Sequence, residues 1–291
     1  VESTKKQRAK DRNMKSAKWF VIVLFFVVHS AARSQDYHVI SYNIRYNNPS
    51  DGLDAWPLRK TDMARFLFEK NYDVIGLQEV LKDQIDFLED RARDYAYYGV
   101  GREDGKEKGE YCPIFYNKKK FELLSANTYW LSPHSDHPGK GWDAACERIV
   151  TVVHLKDKKT TKDFVVMNTH WDHEGKMARS NSARLIADWV KEEHKKGNVV
   201  LLLGDFNLNP TDGALNPLRF VMTDTCPADQ LSFPTFNAFQ MKVSSEQHID
   251  YIWCSKNDWF FSKYEILNPS TTAGRQLSDH FPVTISVRLF P

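Results

Sequence analysis

Leu201-Leu-Leu-Gly204-Asp205-Phe-Asn207 is a short apolar run that stops on a carboxylate and an amide. With Val199-Val200 before it, the run reads as a buried strand, and Gly204 marks a turn or a close backbone approach. Working outward, the same figure recurs. Ile40-Ser-Tyr-Asn43, Val74-Ile-Gly-Leu-Gln78-Glu79 and Val165-Val-Met-Asn168-Thr-His170 each end an apolar run on an amide, acid or imidazole. Ser278-Asp279-His280 leads into another strand, and Gln247-His248-Ile-Asp250 begins one. One acid at a strand end is usually only a turn former. Charged groups are seldom buried without a partner, so several such strand ends on one pair of sheets point to a shared rim where carboxylates meet a cation. Oxygen donors from Asp, Glu and Asn suit Mg²⁺ or Mn²⁺ better than Zn²⁺.

The rest of the chain sets these runs in order. Strands are expected over 39–44, 73–77, 111–116, 149–155, 164–168, 199–203, 249–254 and 283–289. Helical spacing appears over 58–69, 83–92 and 183–193, where Leu185, Ile186, Trp189 and Val190 share a face. Strands outnumber helices and several are consecutive, which departs from the strict alternation of a Rossmann or TIM-barrel chain. Two packed sheets with helices outside fit the order.

Composition adds two constraints. An apolar share of 42% and a charged share of 27% over 291 residues exclude disordered, collagen-like and coiled-coil chains. The net charge of +2 conceals an asymmetry. Residues 1–35 carry eight Lys and Arg against Glu2 and Asp11; beyond them 32 basic residues face 36 acids, a net −4. Lys15 and Lys18 precede the apolar run Trp19-Phe-Val-Ile-Val-Leu-Phe-Phe-Val-Val28 and the small residues Ser30-Ala-Ala. That is the layout of a secretory signal peptide over about 14–35, with a polar extension before Met14, and the apolar run is well short of the ~20 residues of a spanning helix. An uncleaved anchor is the competing reading. The mature chain is expected to be 36–291, periplasmic or secreted, with no stable membrane span. Cys112, Cys146, Cys226 and Cys254 allow three full pairings and form no Cys-x-x-Cys; lone buried thiols are the reading preferred here.

Taken in order, Asn43, Gln78-Glu79, Asn168-Thr-His170, Gly204-Asp205-Phe-Asn207, His248-Ile-Asp250-Tyr and Ser278-Asp279-His280 resemble the endonuclease/exonuclease/phosphatase superfamily, its exported bacterial members above all. The resemblance covers about 38–290. Each motif is weak alone; six in sequence are specific. It implies an α/β fold, a four-layer sandwich of two mixed β-sheets flanked by helices. It also implies roles. Glu79 would be the main Mg²⁺ ligand with Asn43 and Asp279 beside it. Asp205 and Asn207 would orient the attacking water or the phosphate, or hold a second metal. His280, its ring fixed by Asp250, would sit beside the scissile phosphate, and His170, steadied by Glu110, would donate to a phosphoryl oxygen.

These residue types suit the chemistry. A phosphate ester repels hydroxide until a cation offsets its charge, a carboxylate such as Asp205 can take the proton of the attacking water, and protonated imidazoles can hold the oxygens of the transition state. Arg148 could clamp a phosphate or form a surface ion pair; Asp172 and His173 read as a substrate contact, a metal contact or second-layer packing. The expectation is an exported Mg²⁺-dependent hydrolase of phosphoric esters, a phosphodiesterase first, and a monomer. A nuclease on DNA or RNA is the alternative that a body at −4 does not favour; a phospholipid headgroup ranks third. A non-catalytic binding protein on the same fold is a further class, opposed by the intact acids and imidazoles.

Overall fold

The computed structural model describes residues 35–290; apart from Gln35, the signal segment expected over 14–35 lies outside them. In chain order the regular elements are β1 (Tyr37–Asn43), α1 (Trp56–Glu69), β2 (Val74–Gln78), α2 (Lys82–Glu89), β3 (Tyr95–Tyr98), β4 (Ile114–Asn117), β5 (Phe121–Trp130) and β6 (Ile149–Asp157). They continue with β7 (Asp163–His170), α3 (Lys176–Lys195), β8 (Val200–Asp205), α4 (Asn216–Val221), β9 (Met222–Asp224), β10 (Asp250–Ser255), β11 (Trp259–Ile266) and β12 (Val283–Leu289). No helix among the described residues is long and apolar enough to cross a membrane.

The strands form two six-stranded sheets, ordered β11-β12-β1-β2-β4-β3 and β5-β6-β7-β8-β10-β9. Each is mixed in the same way. The third and fourth strands, β1 with β2 and β7 with β8, run parallel, and every other neighbouring pair is antiparallel. One helix joins each parallel pair, α1 in the first sheet and α3 in the second. The sequence shows no internal repeat, yet the topology repeats.

Strand parity builds the layers. Successive side chains point to opposite faces, so each fully buried strand feeds two cores. Val39, Val74, Val166, Leu201, Leu203 and Ile252 meet between the sheets. Ile40, Tyr42, Ile75 and Leu77 pack under α1 and α2, and Val165, Val200, Leu202 and Trp253 pack under α3 and α4. Helix, sheet, sheet and helix are therefore stacked in that order, as the resemblance implied.

The same parity sets the site. Asn43 continues the inward series Val39, Ser41; His170 continues Val166, Asn168; Asp205 continues Leu201, Leu203; Asp250 opens Asp250, Ile252, Cys254. Register brings the ends together: Asp205 lies opposite His170 on one side and Asp250 on the other, and Asn43 lies opposite Gln78. Just below this rim the sheets are tied by an amide pair. Gln78 donates Nε2 to Asn168 Oδ1 at 2.6 Å, while Asn168 Nδ2 donates to the carbonyls of Leu77 at 2.7 Å and Pro113 at 2.9 Å. Gly76 makes the close approach possible, since a Cβ there would lie 2.7 Å from Leu203 Cδ1 and 3.0 Å from Asn168 Oδ1.

The structure departs from the expected elements where the pattern is mixed. β3, β5, β9 and β11 were not anticipated; β5 and β11 are edge strands with mostly exposed or half-buried side chains, so their apolar signal is diluted. Pro113 interrupts the strand expected over 111–116, leaving Tyr111 a lone bridge to Val80. Helix α3 begins at Lys176 because Asp143, from a distant loop, accepts from the amides of Met177 at 3.1 Å and Ala178 at 2.7 Å. All four cysteines are unpaired; Cys112 and Cys254 are buried, whereas Cys146 and Cys226 are half-buried.

Candidate active site

Where the inter-sheet seam opens at the strand ends there is a cleft of about 470 Å³, lined by Glu79, Arg148, His170, Asp205, Asp279 and His280 among others. Three residues just past strands β1, β2 and β8 hold left-handed backbone: Arg45 (φ 59°), Glu79 (φ 60°) and Asn207 (φ 50°). Such geometry costs a non-glycine residue roughly 1–2 kcal/mol and concentrates at functional sites. At Glu79 its effect is plain. One residue past Gln78 it has the wrong parity, and the reversed turn brings its carboxylate to Asn43.

Carboxylates form one side of the cleft. Asn43 Nδ2 donates to Glu79 Oε1 at 3.1 Å and to Asp205 Oδ2 at 3.0 Å, and its Oδ1 accepts from the Arg45 amide at 3.0 Å. The amide of Tyr46 donates to Glu79 Oε2 at 3.2 Å. Arg45, gripped by Asp51 through two bonds of 3.1 Å, reaches within 3.9 Å of Glu79 and 3.7 Å of Asp279. Glu79, Asp205 and Asp279 thus line this side of the cleft with hard oxygen donors, which suit a divalent ion such as Mg²⁺ or Mn²⁺, and Asp205, Asp250 and His280 bring ligand atoms within 4.8 Å of one another. Glu79 and Asp279 would hold the ion. Asn43 turns N–H, not oxygen, toward the acids, so in this arrangement it brackets two carboxylates.

The two imidazoles differ in charge. His280 Nδ1 lies 2.8 Å from Asp250 Oδ2, with Nε2 3.7 Å from Asp205 Oδ2. Burial opposes its protonation, but the Asp250 carboxylate, then Asp205 and Asp279, raise it to about 10, so it is an imidazolium at neutral pH. Asp205 is pushed up to about 7 by burial and by the charge of Asp250, with His280 pulling the other way. His170 is held well below its ordinary value by burial and by the nearby guanidinium groups of Arg148 and Arg102. Protonated imidazoles were expected at both positions; burial and the two guanidinium groups oppose protonation of His170. Asn207 donates Nδ2 to the Trp171 carbonyl at 2.9 Å and to His170 Nε2 at 3.1 Å, which places the proton of the neutral ring on Nδ1.

The opposite wall is cationic. Arg102 pairs with Glu110 through bonds of 2.7 and 3.0 Å, and Glu110 stands 3.8 Å from His170 Nδ1. Arg148 is no surface ion pair: its side chain is 4% exposed, with Nε 3.2 Å from Asp172 Oδ2 and Nη2 2.8 Å from His173 Nδ1. Three buried nitrogens of this wall have no partner: Arg102 Nε, Arg148 Nη1 and His170 Nδ1. All three residues line the cleft, and a buried donor without an acceptor is costly, so this wall can take an anion. Cys146, Asp172 and His173 also bring ligand atoms within 4.8 Å of one another, but Arg148 donates to both Asp172 and His173 and already supplies the positive charge there.

The sequence profile of the endonuclease/exonuclease/phosphatase family matches residues 40–280. The chain belongs to this family. A family protein of known structure from Bacteroides vulgatus is 36% identical, with a TM-score of 0.80 over 88% of this chain and 100% of its own. Another from Bacteroides thetaiotaomicron is 32% identical, with a TM-score of 0.82 over 89% and 100%. A mannosyl-6-phosphatase from Bacteroides thetaiotaomicron is 34% identical, with a TM-score of 0.79 over 86% and 99%. No curated protein sequence matches. As a member of the endonuclease/exonuclease/phosphatase family the chain is a metal-dependent hydrolase of phosphoric esters.

Of the candidate site residues, Glu79, Arg148, His170, Asp205, Asn207, Asp279 and His280 line the cleft, with Asn43 bonded to Glu79 and Asp205 and with Asp250 bonded to His280; His248 instead meets the Phe233 carbonyl. Arg45, Tyr46 and Phe236 were missed as cleft residues. Arg45 had a signal, its place two residues after Asn43; Phe236, whose ring meets His280 edge-on at 5.0 Å, lies in an irregular loop and had none.

Proposed function

We propose that residues 36–291 are the mature form of an exported, Mg²⁺- or Mn²⁺-dependent enzyme that hydrolyses the phosphate ester of a small polar molecule, monoester before diester. The observation that carries this reading is the pairing, across one cleft of about 470 Å³, of three acids with a wall of three unclaimed N–H donors. That wall suits a compact dianionic phosphate, so the preference moves from the diester expected of the sequence to a monoester. The Bacteroides mannosyl-6-phosphatase supports a sugar phosphate as one candidate. The bound divalent ion would offset phosphoryl charge and ease attack. Asp205, with a proton affinity near neutrality and its Oδ1 held by the Asn207 amide at 3.0 Å, takes the proton of the attacking water. His280, held by Asp250, keeps its Nε2 proton toward the phosphoryl group. Arg102, Arg148 and His170 receive its remaining oxygens, and no covalent intermediate is needed.

The test is hydrolysis of matched monoesters and diesters by residues 36–291 with Mg²⁺, Mn²⁺ or chelator. Metal-dependent turnover, faster on the monoester and about 100-fold or more slower in Asp205→Ala and His280→Ala, is expected. Equal rates in those variants would remove the mechanism; faster diester cleavage would restore the other preference.

A further inference from the structure

Arg148 is a buried cation whose three nitrogens have different fates. Nε is taken by Asp172, Nη2 by His173, and Nη1 by nothing in the protein. The two partners are built differently. Asp172 has a fully buried side chain and is saturated: Oδ1 accepts from the amides of Glu174 at 3.1 Å and Gly175 at 2.7 Å, and Oδ2 accepts from Ala145 at 3.1 Å besides Arg148. It ties the loop before β6 to the loop between β7 and α3. His173 has no such duty. Its side chain is 54% exposed, it lines the cleft, and its Nδ1 lies 2.8 Å from Arg148 Nη2. Because that guanidinium nitrogen can only donate, His173 Nδ1 is the acceptor.

We propose that Asp172 and His173 are positioning residues for Arg148: by taking Nε and Nη2 they fix the guanidinium plane, leaving Nη1 for the phosphate of the substrate. The proposal rests on the reading of Arg148 as part of the anion seat. A guanidinium held at two of its three nitrogens has little rotational freedom to lose when the anion arrives, so the arrangement favours phosphate binding. A merely structural His173 would leave phosphate affinity alone.

His173 permits a clean test because it is exposed and Asp172 is a loop latch. The measurements are KM and kcat for para-nitrophenyl phosphate, Ki for inorganic phosphate and Tm, on the metal-loaded enzyme. His173→Ala is expected to raise KM and Ki together by about fivefold, with kcat and Tm nearly unchanged. His173→Asn, whose Oδ1 can stand where Nδ1 stood, restores most of the affinity. In an Arg148→Ala background His173→Ala changes neither constant, since the group it orients has gone. If Arg148→Ala weakens phosphate but His173→Ala does not, or if the histidine effect persists without Arg148, positioning is refuted and the anion seat stands. If Arg148→Ala itself leaves KM and Ki unchanged, the seat is wrong and this inference falls with it.

Discussion

At the scale of single residues, the site turns on which charges face one another, and His280 and His170 show how far that departs from residue type. Both are buried imidazoles near acids. Asp250 bonds directly to His280 and holds it charged; Arg148 and Arg102 face His170 and keep it neutral. In sequence the two histidines look alike, because the arginines that separate them come from strands and loops far along the chain. A pH consequence follows. His280 is active as an imidazolium, and that form is lost as pH rises through about 10. Asp250→Asn removes the charge that raises it, so the basic limb of log kcat/KM against pH should move down by two units or more, toward the ordinary histidine range. An unmoved limb in this variant would assign the limb to another group.

At the scale of elements, the legible part is the strand parity. Apolar runs ending in polar residues announced β1, β2, β7 and β8, and one that starts on Asp250 announced β10; a period of two then fixes which terminal side chain enters the seam. Glu79 escapes that rule through its left-handed backbone, which no spacing reveals. Less legible are β5 and β11, whose edge positions leave the apolar alternation incomplete. The sheets meet most closely at Gly76, where an added methyl group would press on Leu203 and Asn168. Gly76→Ala is expected to destabilise by about 1–3 kcal/mol, as overpacking does, lowering Tm by several degrees. It should also reduce kcat/KM, because Asn168 and Gln78 hold the strand ends above that contact. A variant with unchanged Tm would show that the seam yields at no cost.

At the scale of the whole molecule, two sheets of the same strand directions put equivalent ends face to face: β1 and β2 bring Asn43 and Glu79, while β7 and β8 bring His170 and Asp205. The topological repeat was hidden because its halves share directions and not residues. Net charge, by contrast, was readable once the basic segment was set apart. The residues beyond 35 carry −4, and the cationic groups in the cleft are few, each beside an acid: Arg45 with Asp51, Arg102 with Glu110, Arg148 with Asp172 and His280 with Asp250. A protein that follows a duplex needs many phosphate contacts, each steepening the salt dependence of binding by about one unit of slope. The enzyme should therefore bind a 30-base-pair duplex with a dissociation constant no tighter than about 10⁻⁴ M at physiological salt, and with a slope of log K against log salt no steeper than about −3. Fluorescence anisotropy of a labelled duplex, in Ca²⁺ to suppress turnover, measures both. Micromolar affinity with a slope of about −6 would reveal a basic track outside the cleft, and the nuclease reading would then displace the small phosphate ester.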